Sequence, residues 1–248
     1  IFLTGCEGQL GLAISKKLSL NGVSVYGMDI NQESQNKYLK KYIQGSVSDR
    51  DSFKRFFKLL NNLQDDFKLS LINNAGVSVF TPSEERTFEE FQKVTEVNLL
   101  GPIFGMTEFY SFIKSSEKLN NNLKNFYSII NIASVYGMIS PNKSIYTDTK
   151  RSNSEIYGAT KAGLIQMTKY FAARYADVPI SVNSISPGGV INKNVQGEEF
   201  ISNYSALVPM KRLCNDYEIA ETVEMLFKSP NKYLTGQNIA VDGGMTSW

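Results

Sequence analysis

Three tyrosine and lysine pairs have a spacing that supports proton-transfer chemistry. In a Tyr-x-x-x-Lys pattern the two side chains lie one turn apart on the same face of a helix. A lysine ammonium near a phenol lowers the pKa of the phenol, so the tyrosine can exchange a proton with an alcohol or carbonyl oxygen. The pairs are Tyr110 and Lys114, Tyr146 and Lys150, and Tyr157 and Lys161.

The sequence around each tyrosine favours one pair. An apolar helical face continues over residues 164–175, which predicts a packed, rigid helix carrying Tyr157 and Lys161. The segment after Tyr146 is polar and has no apolar period, so this pair is predicted to lie on a solvated loop. Tyr110 lies inside a predicted long helix and is expected to be structural.

Composition excludes several other functions. The 248 residues include no histidine, which excludes Ser-His-Asp hydrolysis, Cys-His proteolysis and zinc sites built from histidine. Cys6 and Cys214 form no CxxC motif, so no metal site is predicted, and a reducing, cytoplasmic setting is expected. The net charge of +2 without a basic run predicts no nucleic-acid partner, and no apolar stretch approaches the length of a membrane span.

A glycine-bearing turn between the first strand and the first helix is typical of a dinucleotide site. Its three glycines, within residues 5–11, permit a tight turn and a close approach of the backbone to a pyrophosphate at a helix N-terminus. Asp29 ends the second strand, where a carboxylate binds an adenosine ribose and repels a 2′-phosphate. NAD is therefore predicted over NADP, although Lys37 and Lys40 could reach a phosphate.

Apolar β-rich segments alternate with segments of helical period along the whole chain, which predicts a parallel sheet with crossover helices. We expect an α/β fold of one domain over residues 1–248, a doubly wound parallel sheet with helices on both faces (a Rossmann fold). Strands are predicted at 1–4, 23–28, 68–72, 126–132, 180–185 and 238–241. Helices are predicted near 10–18, 53–60, 87–116, 157–175 and 219–227.

Seven motifs together resemble the single-domain branch of the short-chain dehydrogenase/reductase family. They occur in the family's order and cover nearly the whole chain. The motifs are Thr4-Gly5 with the glycine turn, Asn74-Ala75-Gly76, Asn98, Ser134, Tyr157 with Lys161, Pro187-Gly188, and the segment Val241-Asp242-Gly243-Gly244.

The resemblance implies a mechanism and a set of site residues. Tyr157 would exchange a proton with the substrate oxygen while hydride passes between a nicotinamide and the carbinol carbon. Lys161 would hold the nicotinamide ribose and lower the pKa of Tyr157, Ser134 would bind the reacting oxygen, and Asn98 would support a water relay. The implied cofactor-binding residues are Thr4, Gly5, Glu7, Gly8, Gln9, Leu10, Gly11, Asp29, Ser46, Val47, Asn74, Ala75, Gly76, Tyr157, Lys161, Pro187, Gly188 and Val190. Family members often form homodimers or homotetramers.

The chain departs from the family pattern at several places. Gln9 stands where this branch usually has glycine, and the resulting spacing matches a longer branch of nucleotide-sugar epimerases and dehydratases. Asn192 stands where threonine is common. Ser134 and Tyr157 are 23 residues apart, so residues 138–155 are read as an insertion over the substrate, and residues 188–212 as a substrate loop.

The insertion resembles that of reductases in the flagellin-modification and surface-sugar group, which implies a sugar-like alcohol or ketone from surface-glycan biosynthesis. Two alternatives stay open. One is an epimerase or dehydratase that recycles its NAD, and the other is a dinucleotide-binding module without catalysis.

Overall fold

The sheet has seven strands, all parallel, in the order β3-β2-β1-β4-β5-β6-β7. This architecture comes from a computed structural model, which describes residues 1–60, 68–116, 126–147 and 153–247. Helices cover both faces of the sheet, so the predicted doubly wound fold is confirmed.

The six predicted strands are all present, and the structure adds a seventh at the edge of the sheet. The strands are β1 Phe2–Thr4, β2 Tyr26–Asp29, β3 Lys41–Gln44, β4 Ser70–Asn73, β5 Tyr127–Ile132, β6 Ile180–Pro187 and β7 Asn238–Val241. The helices are α1 Gln9–Leu20, α2 Arg50–Phe57, α3 Phe88–Thr95, α4 Gly101–Ser115, α5 Glu155–Arg174, α6 Glu198–Leu207 and α7 Asp216–Lys228.

The order of the strands reverses between β1 and β4. From β1 the chain runs outward through β2 to the edge strand β3, and it then returns to the other side of β1 as β4. The crevice above such a reversal, at the carboxyl ends of the strands, is where open α/β sheets bind ligands. The glycine turn after β1 and Asn74 after β4 both lie at this edge.

A different apolar core fills each side of the sheet. On one face α2, α4 and α5 pack over an aromatic cluster in which Phe2 lies 4.9 Å from Phe56 and 4.8 Å from Phe57, between ring centroids. On the other face α1 and α7 supply Ile14, Leu18 and their neighbours. Burial on both faces is what the continuous apolar runs of the central strands require.

The predicted long helix over 87–116 is divided by a π-helical turn at Glu96–Leu100. The N–H of Gly101 donates to the carbonyl of Glu96, five residues earlier. Thr87 begins α3 with a capping box completed by Glu90, as the polar residues before the apolar run would suggest. Turns of this kind often mark functional sites, and this one carries Asn98.

Two sequence expectations need correction. The edge strand β3 is absent from the predicted strands. The predicted substrate loop, 188–212, contains helix α6. Within the predicted insertion, 138–155, residues Lys143–Ile145 form a 3₁₀ turn, and residues 148–152 lie outside the described part of the chain.

In the parts of the chain that the structure describes, we find no helix long and apolar enough to cross a membrane.

The aromatic cluster makes a prediction about stability. Replacing the buried Phe57 by alanine removes ring contacts with Phe2 and Phe109, so Phe57→Ala should lower the free energy of unfolding by about 3–5 kcal/mol. Phe88 is 76% exposed, and Phe88→Ala is the matched control, with an expected change within about 0.5 kcal/mol. Urea denaturation of both variants measures the difference, and similar losses would contradict this packing.

Candidate active site

Two glycines let the turn after β1 approach its neighbours closely. Gly5 has a positive φ of 64°, and a Cβ there would lie 2.7 Å from the Cα of Ala75. A Cβ on Gly11 would lie 2.1 Å from the carbonyl oxygen of Gly5. Both distances are far below van der Waals contact, so only glycine permits this turn. The turn brings the start of α1 down onto the carboxyl ends of β1 and β4.

The N-terminus of α1 fits the diphosphate of a dinucleotide. Gly8 caps the helix without a side-chain hydrogen bond, and the first turn contains no acidic residue. A Cβ on Gly8 would meet only the carbonyl oxygen of Gly5, at 3.6 Å, so the space in front of the helix is open. The free N–H groups of the first turn, beginning at Gln9, and the positive end of the helix dipole favour an anion here.

Thr4 and Asn74 fasten β1 to β4 beneath this turn. The Thr4 hydroxyl accepts hydrogen bonds from the N–H groups of Asn74 and Ala75 at 3.1 and 3.2 Å. The Asn74 amide donates to the carbonyls of Thr4 and Gly5 at 3.1 and 2.9 Å. These two predicted cofactor residues therefore also hold the floor of the crevice.

Asp29 lies beside the glycine turn, as predicted from its position at the end of β2. Its carboxylate accepts the N–H of Glu7 at 3.1 Å and the N–H of Ile30 at 2.8 Å. The Glu7 carboxylate in turn binds the Ser34 hydroxyl and the N–H of Gln35. Two carboxylates thus flank the place where the resemblance puts the adenosine ribose.

The remaining predicted cofactor residues lie at the same edge of the sheet. Pro187 ends β6, and the N–H of Gly188 donates to Val241 on β7 at 2.9 Å. Val190 forms an isolated bridge with Cys214. Leu10 packs against the core beneath α1, and Ser46 lies in the segment that follows β3.

Two further predicted residues have buried neighbours. Val47 is buried against Gly101. Gly76 lies between the side chains of Asn98 and Lys161.

Lys161 fastens α5 to the end of β5. Its side chain is only 4% exposed, and its ammonium donates to the carbonyl of Ile132 at 2.8 Å. Burial lowers the pKa of this ammonium to about 8. The nitrogen also lies 5.7 Å from the centroid of the Tyr157 ring, one turn earlier on the helix. Helix α5 therefore holds the pair as the spacing predicts.

Ser134 stands opposite Tyr157, two residues beyond the end of β5. It caps a 3₁₀ turn at Val135–Gly137, where its hydroxyl accepts the N–H of Tyr136 at 3.2 Å. A Cβ on Gly137 would lie 2.7 Å from the backbone of Lys161, so this turn presses directly against α5. The contact brings Ser134 and Tyr157 to the same cleft, where the Ser134 hydroxyl acts on the pKa of the Tyr157 phenol.

The pKa of Tyr157 moves in the direction opposite to the sequence expectation. Burial raises the pKa of the phenol, the hydrogen bond from Ser134 opposes this rise, and the nearby Tyr146 adds to it. Lys161 was expected to lower this pKa, but its ammonium points to the carbonyl of Ile132 instead. Desolvation therefore outweighs the charge of the lysine.

Asn98 is fully buried on the π-helical turn. Its amide oxygen accepts the N–H of Val77 and its amide nitrogen donates to the carbonyl of Val77, both at 2.8 Å. A Cβ on Gly76 would lie 3.5 Å from the Asn98 oxygen and 3.6 Å from the Lys161 nitrogen. Asn98 thus borders the space behind Lys161, the place where the resemblance puts a water relay.

The other two Tyr-Lys pairs have different surroundings. Tyr110 and Lys114 both donate to Asp177, at 2.9 and 3.1 Å, and the Tyr110 ring stacks on Tyr175, so this pair is structural as expected. Tyr146 follows a 3₁₀ turn rather than lying in a helix. Lys150 lies outside the described residues.

Tyr146 corrects the expectation of a solvated loop. Its ring lies 5.6 Å from that of Phe200 on α6, and it lines the same cleft as Ser134 and Tyr157. This cleft has a volume of about 560 Å³, within the range of small-molecule sites. Its walls come from the turn after β5, from α5 and from the segment around α6.

Sequence analysis missed Tyr204, which also lines the cleft. Its phenol accepts the N–H of Gly189 at 2.5 Å, and its side chain is 2% exposed. Tyr204 thereby fixes the backbone next to Val190. The helical spacing of Phe200, Tyr204 and Val208 is the signal that would have revealed α6 and its inward face.

The parallel sheet, the reversal of its order and the uncapped helix after a glycine turn define a Rossmann-type dinucleotide-binding protein. A family model described as enoyl-(acyl carrier protein) reductase matches residues 7–246. The chain belongs to the short-chain dehydrogenase/reductase family of oxidoreductases.

Three similar proteins illustrate the range of this family. The chain is 32% identical to the 3-oxoacyl-[acyl-carrier-protein] reductase FabG of Buchnera aphidicola over 98% of this chain and 95% of that protein. It is 29% identical to the NADH-dependent L-xylulose reductase of Ambrosiozyma monospora, over 99% and 94%. A short-chain dehydrogenase from Leptospira borgpetersenii with bound NAD⁺ shares 35% identity and a TM-score of 0.83, over 99% and 91% of the two chains.

The buried ammonium of Lys161 makes a prediction about stability. Between pH 8 and the ordinary lysine pKa of 10.5, the unfolded chain retains a proton that the folded chain has released, so stability increases as the pH rises through this range. Lys161→Met has no such group, so its unfolding free energy lacks this increase. Relative to the variant, the unfolding free energy of wild type should therefore rise by about 3 kcal/mol across the range.

Urea denaturation of both proteins below pH 8 and near pH 10.5 measures this difference. Lys169 is exposed on the same helix, and Lys169→Met should show the pH dependence of wild type. A Lys161→Met protein that also follows wild type at every pH would contradict the burial of this charge.

Proposed function

We propose that this protein is an NAD(P)-dependent oxidoreductase that interconverts a secondary alcohol and a ketone. The observation that carries the proposal is the meeting of Ser134 and Tyr157 at one cleft, with Lys161 one turn further along the helix and an open helix N-terminus nearby. These three residues come from two different elements, the turn after β5 and helix α5. Binding a dinucleotide alone requires no proton donor, so their convergence favours catalysis over a module that only binds.

In the reduction direction, the ketone oxygen would lie between the hydroxyls of Ser134 and Tyr157. A nicotinamide, when bound, supplies hydride to the carbonyl carbon. Tyr157 gives its phenol proton to the oxygen as negative charge develops there, and Ser134 donates a hydrogen bond to the same atom. The raised pKa of Tyr157 keeps the phenol protonated at neutral pH, which suits this role.

Lys161 and Asn98 would assist Tyr157, the proton donor, from the side of the site where Asn98 borders the space behind Lys161. After the transfer Tyr157 is a phenolate, and the Lys161 ammonium, 5.7 Å from the centroid of its ring, would offset part of the desolvation cost of that charge. With a pKa of about 8, Lys161 is charged at neutral pH and still able to pass a proton on. In the oxidation direction the same steps run in reverse.

The lining of the cleft indicates an uncharged, hydroxyl-rich substrate. Among the described residues that line it, none carries a charged side chain. Four side-chain amides and six aromatic rings line the space; the amides are Gln9, Asn153, Asn192 and Gln196, and the rings are Phe80, Tyr136, Tyr146, Tyr157, Phe200 and Tyr204. The tyrosine hydroxyls and the second N–H of each amide can hydrogen-bond hydroxyl groups of a substrate, and aromatic faces pack against the C–H faces of a sugar.

We infer that a sugar-like ketone or polyol is the substrate, in line with the L-xylulose reductase among the relatives. The uncharged cleft favours such a substrate over a nucleotide sugar, whose diphosphate calls for cationic partners. A place in surface-glycan biosynthesis, a cytoplasmic location and a homodimer or homotetramer stay predictions from the sequence.

The two tyrosines at the cleft can be distinguished by substitution. Tyr157→Phe removes the proton donor and should lower kcat for reduction of L-xylulose or a similar sugar ketone by about 10³-fold, with NADH affinity nearly unchanged. Tyr146→Phe keeps the ring packed on Phe200 and should change kcat less than tenfold. Steady-state NADH oxidation and NADH fluorescence titration measure the two quantities.

A dominant loss at Tyr146 would overturn the assignment of the proton donor. NADH binding without turnover of any sugar ketone or polyol would favour a binding module. Conversion of a nucleotide sugar without net oxidation or formation of NADH would favour an epimerase or dehydratase that recycles its cofactor.

The carboxylate of Asp29 supports a preference for NAD. Asp29→Asn removes the charge and keeps one of the two oxygens that accept the N–H groups of Glu7 and Ile30. Loss of repulsion toward a 2′-phosphate should raise the ratio of kcat/KM for NADPH to that for NADH about tenfold or more. Steady-state rates with both cofactors measure the ratio.

Glu33 provides the matched control, since it is exposed in the segment that follows β2. Glu33→Gln removes the same charge and should leave the ratio unchanged. An equal rise in both variants would mean that overall charge, and not a contact of Asp29 with the ribose, sets the preference.

A further inference from the structure

Gln9 and Asn192, two residues that depart from the family pattern, contact each other. The Gln9 amide nitrogen donates to the carbonyl of Ile191 at 2.7 Å, and the Asn192 amide nitrogen donates to the Gln9 amide oxygen at 3.1 Å. Both polar atoms of the Gln9 side chain are therefore used. We call the contacts of Gln9 with Ile191 and Asn192 the amide bridge.

The segment on the far side of the amide bridge is held together by its own hydrogen bonds. The N–H of Asn192 donates to the Gln196 amide oxygen at 2.7 Å, and the Gln196 amide nitrogen donates to the carbonyl of Val190 at 2.9 Å. The N–H of Asn194 donates to the Asn192 amide oxygen at 3.2 Å. Residues 190–196 thus form one compact loop, and Gln9 holds this loop as a unit.

The bridge spans the crevice that the dinucleotide would occupy. Gln9 is the first residue of α1, next to the open N-terminus that fits the diphosphate. Asn192 follows the segment of Val190, where the resemblance puts the carboxamide of the nicotinamide. Both residues also line the cleft that contains Ser134 and Tyr157. A dinucleotide that extends from α1 to Tyr157 must pass along the bridge.

The bridge also accounts for the unusual glycine spacing. A glycine at position 9 has no side chain to reach the loop, and a threonine at position 192 has no amide to meet Gln9. Each departure from the family pattern therefore supplies the partner that the other requires. The contact of Gln9 with the loop therefore explains the glycine spacing of the turn without a relation to the epimerase branch.

We propose that Gln9 and Asn192 are positioning residues that hold the loop 190–196 across the bound nicotinamide cofactor and slow its release. The proposal rests on the proposed cofactor site. Two partly buried hydrogen bonds must break before the loop can move away from the turn. The bridge therefore sets how long the cofactor stays, and it leaves the proton transfer by Tyr157 unaltered.

The test is a double-mutant cycle with the residues that the family pattern would place here. The full chain is prepared as wild type, Gln9→Gly, Asn192→Thr and the double variant. Stopped-flow fluorescence measures the rate of NADH dissociation. Gln9→Gly removes both bonds and should dissociate about tenfold faster, whereas Asn192→Thr leaves the bond to Ile191 and should show a smaller increase. The double variant should match Gln9→Gly, because no bond of the bridge remains for the second substitution to break.

Asn194→Ala is the matched control, because it removes an exposed amide from the same loop without touching Gln9. Its dissociation rate should equal that of wild type. Additive effects of Gln9→Gly and Asn192→Thr would overturn the proposal, as would unchanged dissociation. Faster association with unchanged dissociation would show that the bridge obstructs entry and would equally overturn it.

A second measurement uses the chain without nucleotide. Hydrogen exchange of the backbone amides in 192–197 should accelerate in Gln9→Gly and stay at the wild-type rate in Asn194→Ala, with the global unfolding temperature of both variants near that of wild type. Unchanged exchange in Gln9→Gly would show that the bridge does not restrain the loop. Absence of NADH binding in wild type would instead remove the proposed function and this proposal together, so the two failures are distinguishable.

Discussion

The hydrogen bond from the buried Lys161 ammonium to the carbonyl of Ile132 is the contact on which the arrangement of the site depends. It joins helix α5 to strand β5 at the last residue of the strand. Tyr157 lies one turn before that point on the helix, and Ser134 lies two residues beyond it on the chain. Burying a charge is costly without a partner, so the carbonyl, the helix and the turn after β5 must meet in one geometry.

Hydrogen bonds between neighbouring strands also fix the cofactor side of the crevice. Thr4 and Asn74 tie the two central strands together where the strand order reverses. The turn above them can be as tight as it is only because Gly5 and Gly11 have no side chains. The result is a floor that holds the helix N-terminus proposed for the diphosphate and the tyrosine proposed for proton transfer along one edge of the sheet.

Much of this follows from local sequence. The alternation of apolar periods predicts the parallel sheet, and the apolar face over 164–175 correctly predicts the helix that carries Tyr157. The strand β3 escapes such reasoning because it is short, lies at the edge of the sheet and exposes both of its end residues. The hydrophobic periodicity of the sequence does not reveal the π-helical turn that contains Asn98.

Other features depend on residues far apart in sequence. The Lys161 ammonium donates to the carbonyl of Ile132, 29 residues earlier, and the Tyr-x-x-x-Lys spacing does not predict this partner. The inward position of Tyr146 depends in the same way on Phe200, 54 residues later. The choice between a raised and a lowered pKa for Tyr157 is likewise a matter of burial, which a sequence pattern alone does not measure.

The contact between Tyr146 and Phe200 joins two segments that both lie outside the sheet. One segment follows β5 and the other contains α6, and together they supply most of the aromatic wall of the cleft. Substitutions in these segments can reshape the space for a substrate while Lys161, Tyr157 and the strands stay as they are. The fold therefore places most of the aromatic wall of the cleft on segments separate from the strand and helix that hold Lys161 and Tyr157.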